Sequence, residues 1–124
     1  MIKVQIVEDN KLAEELCQRA ELSLTDTRFV MAAEDRGEIL AFSVFSVENN
    51  EMMLEYLFPK EDALMADAII RSTLHIAATR NLREVYYGEK CSEKLLSVLR
   101  FIKDKDKKTL DLCKLFEDSC SGCK

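Results

Sequence analysis

The sequence predicts a single α/β domain built on a mixed sheet, in the order β-α-β-β-β-α-β-α-β. Three observations predict it. Three strand-like runs between Phe29 and Phe58 are separated by turns of only a few residues. A long amphipathic helical pattern follows directly. A short apolar strand and a second helical pattern then complete the unit by Phe101.

Each element has a local cause. Val4 and Ile6 alternate with polar neighbours as in a strand, and Glu8, Asp9 and Asn10 then offer an N-cap and negative charge at a helix start. Leu12, Leu16, Ala20 and Leu24 recur at helical spacing, which predicts a helix over residues 10–23 with Cys17 filling core space. Phe29, Val30 and Met31 open a strand that ends near Gly37, where a positive φ suits a hairpin turn. The run from Ile39 to Val47 is apolar almost throughout, as a central strand requires. Asn49-Asn50 makes the next turn, because Asn tolerates left-handed geometry. The run from Met52 to Phe58 follows as the third member, and loops this short pair neighbours antiparallel.

Pro59, the only proline, stops that strand. A helix is expected from about Asp62 to Arg80, burying Met65, Ile69, Ser72 or Thr73, and Ile76, with Asn81 closing it. Glu84 to Tyr87 reads as a short strand reached by a parallel crossover. Ser92 caps a helix whose buried stripe is Leu95, Leu96, Val98, Leu99 and Ile102. Residues 103–108 hold no apolar side chain and form a solvated turn; Thr109 to Glu117 reads as a strand to about Cys113 with a short helical turn after it, although Leu112, Leu115 and Phe116 are also spaced as on a helix. Residues 1–118 thus read as one domain and residues 119–124 as a tail.

At 124 residues the chain is long enough to bury about two-thirds of its unfolded surface. Its 48% hydrophobic and 33% charged residues are those of an ordinary globule. A net charge of −5 argues against general binding to nucleic acid or anionic membrane. No apolar run reaches bilayer length, and the N-terminus lacks a secretory apolar region, so the expected location is the cytoplasm.

This order of elements resembles the GNAT superfamily, the Gcn5-related N-acetyltransferases. The residues that carry the resemblance are the meander ending in Leu57-Phe58-Pro59, the helix from Ala66 to Arg80, the strand Val85-Tyr86-Tyr87 and the tripeptide Leu99-Arg100-Phe101. That tripeptide stands where the family usually has Leu-Gly-Phe. The match is one of pattern and topology over nearly the whole chain. It implies a cleft between the strand ending at Phe58 and the strand ending at Tyr87, holding acetyl-CoA or another acyl-CoA as co-substrate.

The resemblance also implies site residues. The pantetheine arm of the co-substrate would use backbone along residues 55–58, with Leu57 and Phe58 against it. Its pyrophosphate would rest on the following helix start, where unpaired N–H groups favour anions, near Lys60, Leu64, Met65 and Ala66. Glu55 is the implied general base, and Tyr87, or its neighbour Tyr86, an implied hydrogen-bonding group. The amine acceptor is a small molecule or a peptide, with a homodimer allowed.

Two departures from the family stand in the sequence. The usual Gly-x-Gly-x-Gly/Ala loop is replaced by Lys60-Glu61-Asp62-Ala63-Leu64-Met65-Ala66-Asp67, which contains no glycine. Leu64 and Ala66 are the nearest occupants of the second and third glycine positions. The acids Glu61, Asp62 and Asp67 either repel a polyanion or simply stabilise the helix start. Leu96 stands where many members place a Tyr that protonates the departing thiolate. His75, the only histidine, aligns with Asp67 and Arg71 on a polar stripe and reads as solvated face.

Of the five cysteines, Cys113, Cys120 and Cys123 lie in the last twelve residues. The C-x-x-C spacing at Cys120 and Cys123 suits two thiolates on one soft metal, with Cys113 and then Cys91 or a partner chain completing a zinc site. A redox pair and a plain frayed tail are the other readings. Function therefore has two expectations, a divergent acyl-CoA-dependent N-acyltransferase or a GNAT-like module that binds without catalysing, and a thiol or metal role of the tail can coexist with either.

Overall fold

The computed structural model describes residues 2–112. The elements are β1 (Lys3–Ile6), α1 (Asn10–Arg19), β2 (Arg28–Asp35), β3 (Glu38–Glu48), β4 (Glu51–Phe58), α2 (Ala63–Thr79), β5 (Glu84–Tyr87), α3 (Glu93–Val98), β6 (Ile102–Asp104) and β7 (Thr109–Leu110). They form one sheet in the order β1-β2-β3-β4-β5-β7-β6. Every pairing is antiparallel except β4 with β5, the crossover expected from the α2 connection.

Both hairpins of the meander are set by their turn residues. Arg36 and Gly37 carry φ of 54° and 85°, and Asn49 and Asn50 carry 54° and 63°. Two successive positive φ values match the right-handed twist of the flanking strands, so each loop needs only two residues.

Alternating apolar side chains then pack each sheet face against a helix. Ala13, Leu16 and Cys17 of α1 pack with Val30, Ala32, Phe42 and Val44. Ala66, Ile69, Ile70, Leu74 and Ala77 of α2 pack with Met31, Ala33, Ala41, Phe45, Met52, Leu54 and Leu57. Buried Ser43 meets buried Thr73 across the α2 face at 2.7 Å, and Thr73 also donates to the Ile69 carbonyl at 2.8 Å.

The helix ends correct several expectations. α1 stops at Arg19 rather than near residue 23, because Glu21 turns left-handed at φ 60° and Leu22 N–H closes on the Cys17 carbonyl. The buried stripe of α2 is Ala66, Ile69, Ile70, Thr73, Leu74 and Ala77: Ile69 and Thr73 lie against the sheet as expected, while Met65 and Ile76 sit at its margins. α3 is shorter than its apolar pattern suggests. Arg100 takes φ 64°, Phe101 N–H bonds to the Leu96 carbonyl at 3.0 Å, and the chain turns back into β6. Val98 is consequently exposed, and Ile102 is a strand residue. Arg100 thus adopts the conformation that a glycine at this position supplies without strain.

The expected turn over residues 103–108 is narrower: Lys103 and Asp104 join β6, residues 105–108 form the hairpin tip, and the last strand, expected to about Cys113, is β7 at Thr109–Leu110. There Asp104 Oδ1 accepts the N–H groups of Asp106 and Lys107 at 2.9 and 3.2 Å. Among the described residues, no helix is long and apolar enough to cross a membrane.

Candidate functional site

The site begins with an irregularity in β4. Val44 of β3 faces Tyr56, and the next residue, Phe45, faces Leu54, so Glu55 is an extra residue bulged out of the ladder. A bulge bends its strand and increases local twist. It also switches which face each residue serves. Met52 and Leu54 enter the α2 core before it and Leu57 after it, while Tyr56 and Phe58 turn to the α1 side.

The parallel ladder between β4 and β5 ends at the same point. It runs from Glu51↔Glu84 to Leu54↔Tyr87. Gly88 N–H still reaches the Leu54 carbonyl at 2.8 Å, but the chain then departs through Cys91 into α3. β4 runs on to Phe58 without β5 beside it. Two neighbouring strands are therefore zipped over their first half and part beyond it, leaving a wedge whose vertex is at Leu54.

Cys91 fills that vertex. Its thiol is buried and donates to the Leu54 carbonyl at 3.3 Å. Burial pushes the thiol up to about 12, against a smaller lowering by the Gly88 hydrogen bond and Lys60. Cys91, expected as a possible fourth ligand of a zinc site, is thus held in the core as a neutral thiol on a backbone carbonyl. Cys113, Cys120 and Cys123 lie outside the described residues. Among the described residues, no group of three or more His, Cys, Asp or Glu is placed to hold a metal.

Glu55 does lie at the site, but its oxygens are occupied. Arg28, the first residue of β2, donates from Nε at 2.6 Å and from Nη2 at 2.9 Å. The two side chains are 19% and 18% exposed, so this is a largely buried fork. The Glu55 contact raises the Arg28 guanidinium above its ordinary value, chiefly through that hydrogen bond. For Glu55 to take a proton from an amine, the fork must open. Sequence reasoning missed Arg28 because nothing local links residues 27 apart.

The tyrosines divide between the two faces. Tyr87 is buried on the α2 side, and its hydroxyl donates to Glu93 of α3 at 2.8 Å. Burial and that acceptor push it up to about 12. Tyr86 points to the other face, with its hydroxyl 3.4 Å from Glu51. A groove of about 320 Å³ lies on this face, lined by Glu48, Glu51, Met53, Glu55 and Tyr86 among others. Tyr86, not Tyr87, shares a surface with Glu55.

The remaining predicted residues sit along the wedge and the start of α2. Leu57 and Ala66 are fully buried in the core, backbone and side chain alike. Phe58 is half-buried on the α1 side, with its ring 5.6 Å from Phe42 and the Arg19 guanidinium 4.9 Å away. Lys60 is exposed and its ammonium lies 5.7 Å from the Tyr56 ring. Leu64 is 84% exposed, and Met65 is half-buried. His75 is exposed beyond the Arg71–Asp67 pair (2.9 Å), as a solvated face requires.

The start of α2 is capped from within. Asp62 Oδ1 accepts Met65 N–H at 3.2 Å, and the Asp62 carbonyl accepts Ala66 N–H at 3.0 Å. A carboxylate therefore already lies where the helix dipole favours an anion.

No protein-family model matches the chain, and no curated protein is recognisably similar to it. Solved structures are. A probable acetyltransferase from Staphylococcus epidermidis ATCC 12228 superposes with a TM-score of 0.62 at 17% identity, over 82% of this chain and 84% of that one. A ribosomal-protein-alanine N-acetyltransferase from Brucella melitensis biovar Abortus 2308 gives 0.60 at 13% identity, over 84% and 94%. The PaiA N-acetyltransferase from Thermoplasma acidophilum, in complex with coenzyme A, gives 0.52 at 13% identity, over 82% and 67%. The bulged strand, the parted parallel pair and the left-handed residue after α3 thus belong to a chain that has the fold of the GNAT acetyltransferases.

Proposed function

We propose that the chain is a divergent N-acyltransferase that holds a pantetheine thioester in the wedge between β4 and β5 and passes its acyl group to a primary amine. The observation that carries this reading is the overrun of β4 beyond Leu54. Residues 56–58 keep their β3 partners, Glu55 is bulged from the ladder, and all four lack β5, so an amide-bearing arm can lie where the missing strand would. The likeness to acetyltransferase structures, one of them holding coenzyme A, supports the choice of ligand.

In the reaction the amine nitrogen attacks the thioester carbonyl. A C–N bond forms, the C–S bond breaks, and the electron pair leaves on sulfur. The amine proton passes to water or to Glu55 once Arg28 releases it. A free thiol has a pKa of about 8.5, so the thiolate leaves without a protein acid and is protonated by solvent. Leu96 is fully buried and donates nothing, and Tyr87 is tied to Glu93. Rate enhancement on this account comes from holding the two reactants together.

The test is mass spectrometry of an N-terminal-alanine peptide, lysine and spermidine incubated with S-acetyl-pantetheine or acetyl-CoA. Enzyme-dependent acetylation of one amine supports the proposal. Binding of thioester with no transfer to any amine supports the second reading, a non-catalysing binding module, which Leu96 and the Arg28–Glu55 fork favour.

A further inference from the structure

The wedge and the helix start treat the two halves of a coenzyme A thioester differently. The side of β4 that β5 leaves unpaired asks only for amide donors and acceptors, and the pantetheine arm carries two amides. For a diphosphate the start of α2 has the single cation Lys60, whose ammonium lies over the Tyr56 ring, set against the acids around it. Of the orphan N–H groups in its first turn, that of Met65 is taken by Asp62. Exposed Glu61 adds a second carboxylate beside it. No glycine lies between Pro59 and Asp67 to let the backbone approach phosphates, and Leu64 projects from the first turn at 84% exposure. The residues present fit the arm and do not fit the diphosphate.

Resting on the thioester-cleft reading above, we infer that this protein selects its donor by the pantetheine arm alone and gains nothing from the adenosine diphosphate. Its donor is a pantetheine thioester lacking the nucleotide. Asp62 acts as a built-in anion that occupies the helix end and turns away a second one.

The experiment is calorimetric titration of the full chain with S-acetyl-pantetheine and with acetyl-CoA at low salt. The expected result is that acetyl-CoA binds no more tightly than S-acetyl-pantetheine. The double variant Glu61→Gln/Asp62→Asn removes both charges while keeping a good N-cap, since Asn and Asp cap equally well. It is expected to shift the ratio of the two Kd values in favour of acetyl-CoA by about tenfold, a change of 1.4 kcal/mol. An acetylated acyl carrier protein as third titrant separates the two sources of such an arm. Tighter binding than S-acetyl-pantetheine identifies a carrier-borne donor, and equal binding identifies the free thioester.

Acetyl-CoA binding tenfold or more tighter than S-acetyl-pantetheine by the unaltered chain overturns the inference and leaves the transferase reading standing. An unchanged ratio in the double variant overturns it as well. Absence of binding by both small thioesters removes the cleft reading itself.

Discussion

Replacing Arg28 with Met tests whether Glu55 is held or free. The substitution removes both donors, at 2.6 and 2.9 Å, from a carboxylate whose side chain is 18% exposed. Exposed ion pairs contribute about 0.2–1 kcal/mol. Removing one partner of a fully buried pair costs about 3–5 kcal/mol. Side chains only about a fifth exposed, joined by a bidentate fork, lie nearer the second limit, so the expected cost is about 2–3 kcal/mol. In a domain of this length each kcal/mol moves Tm by roughly 3–5 °C, so the midpoint should fall by about 6–15 °C.

Glu55→Gln keeps the shape and one acceptor and should cost about 1–2 kcal/mol. The assay is urea unfolding followed by circular dichroism, completed by the double variant Arg28→Met/Glu55→Met. The two sites share one interaction, so the cycle should return a coupling of about 1.5 kcal/mol or more. A loss below about 0.5 kcal/mol for Arg28→Met, with coupling near zero, would refute the argument. Glu55 would then be a solvent-facing carboxylate, available as a base without rearrangement.

Three further outcomes follow, two from buried groups and one from a left-handed turn residue. Thr73→Val strands the buried Ser43 hydroxyl and should cost about 2 kcal/mol. Ser43→Ala leaves Thr73 bonded to the Ile69 carbonyl and should cost about 1 or less; the reverse order in urea unfolding contradicts the assignment. Arg100→Gly removes a side chain from φ 64° and should stabilise by about 0.5–1 kcal/mol, whereas Arg100→Val should destabilise, and equal effects would show that the turn is unstrained. Tyr87 is raised in the folded state to about 12 from 10.0. The folded form then binds a proton that the unfolded chain has lost, so this stability is present below pH 10 and declines as the pH rises toward 12. Absorbance titration should show one late tyrosine, absent in Tyr87→Phe, and stability of that variant should fall less steeply above pH 10.0.

Much of the fold is legible because its signals are local. Gly37 and Asn49-Asn50 make their turns with their own backbones, and Asp62 and Ser92 cap the helices that the sequence assigns to them. Elements whose cause is distant are not legible. The bulge at Glu55 exists only in the pairing of β3 with β4, and no residue in Met52 to Phe58 announces it. Arg28 becomes a site residue only once β2 and β4 flank the same strand. The short α3 escapes a reading of its apolar spacing because a left-handed Arg leaves no compositional trace, while the Leu-Arg-Phe likeness to Leu-Gly-Phe carried that information indirectly. On α2 the expected Ile69 and Thr73 are buried, but the periodicity alone does not separate Ile70, Leu74 and Ala77 from Met65 and Ile76, because the helix is apolar on more than one face.

The central claim is that β4 beyond Leu54 presents a backbone edge open to a thioester arm. A ¹H–¹⁵N spectrum recorded during titration with S-acetyl-pantetheine tests it residue by residue. The account predicts shifts concentrated at the amides of Glu55, Tyr56, Leu57, Phe58 and Gly88, with those of β1 and α1 unmoved. Saturable shifts confined to any other surface, or a spectrum that does not change, would contradict it.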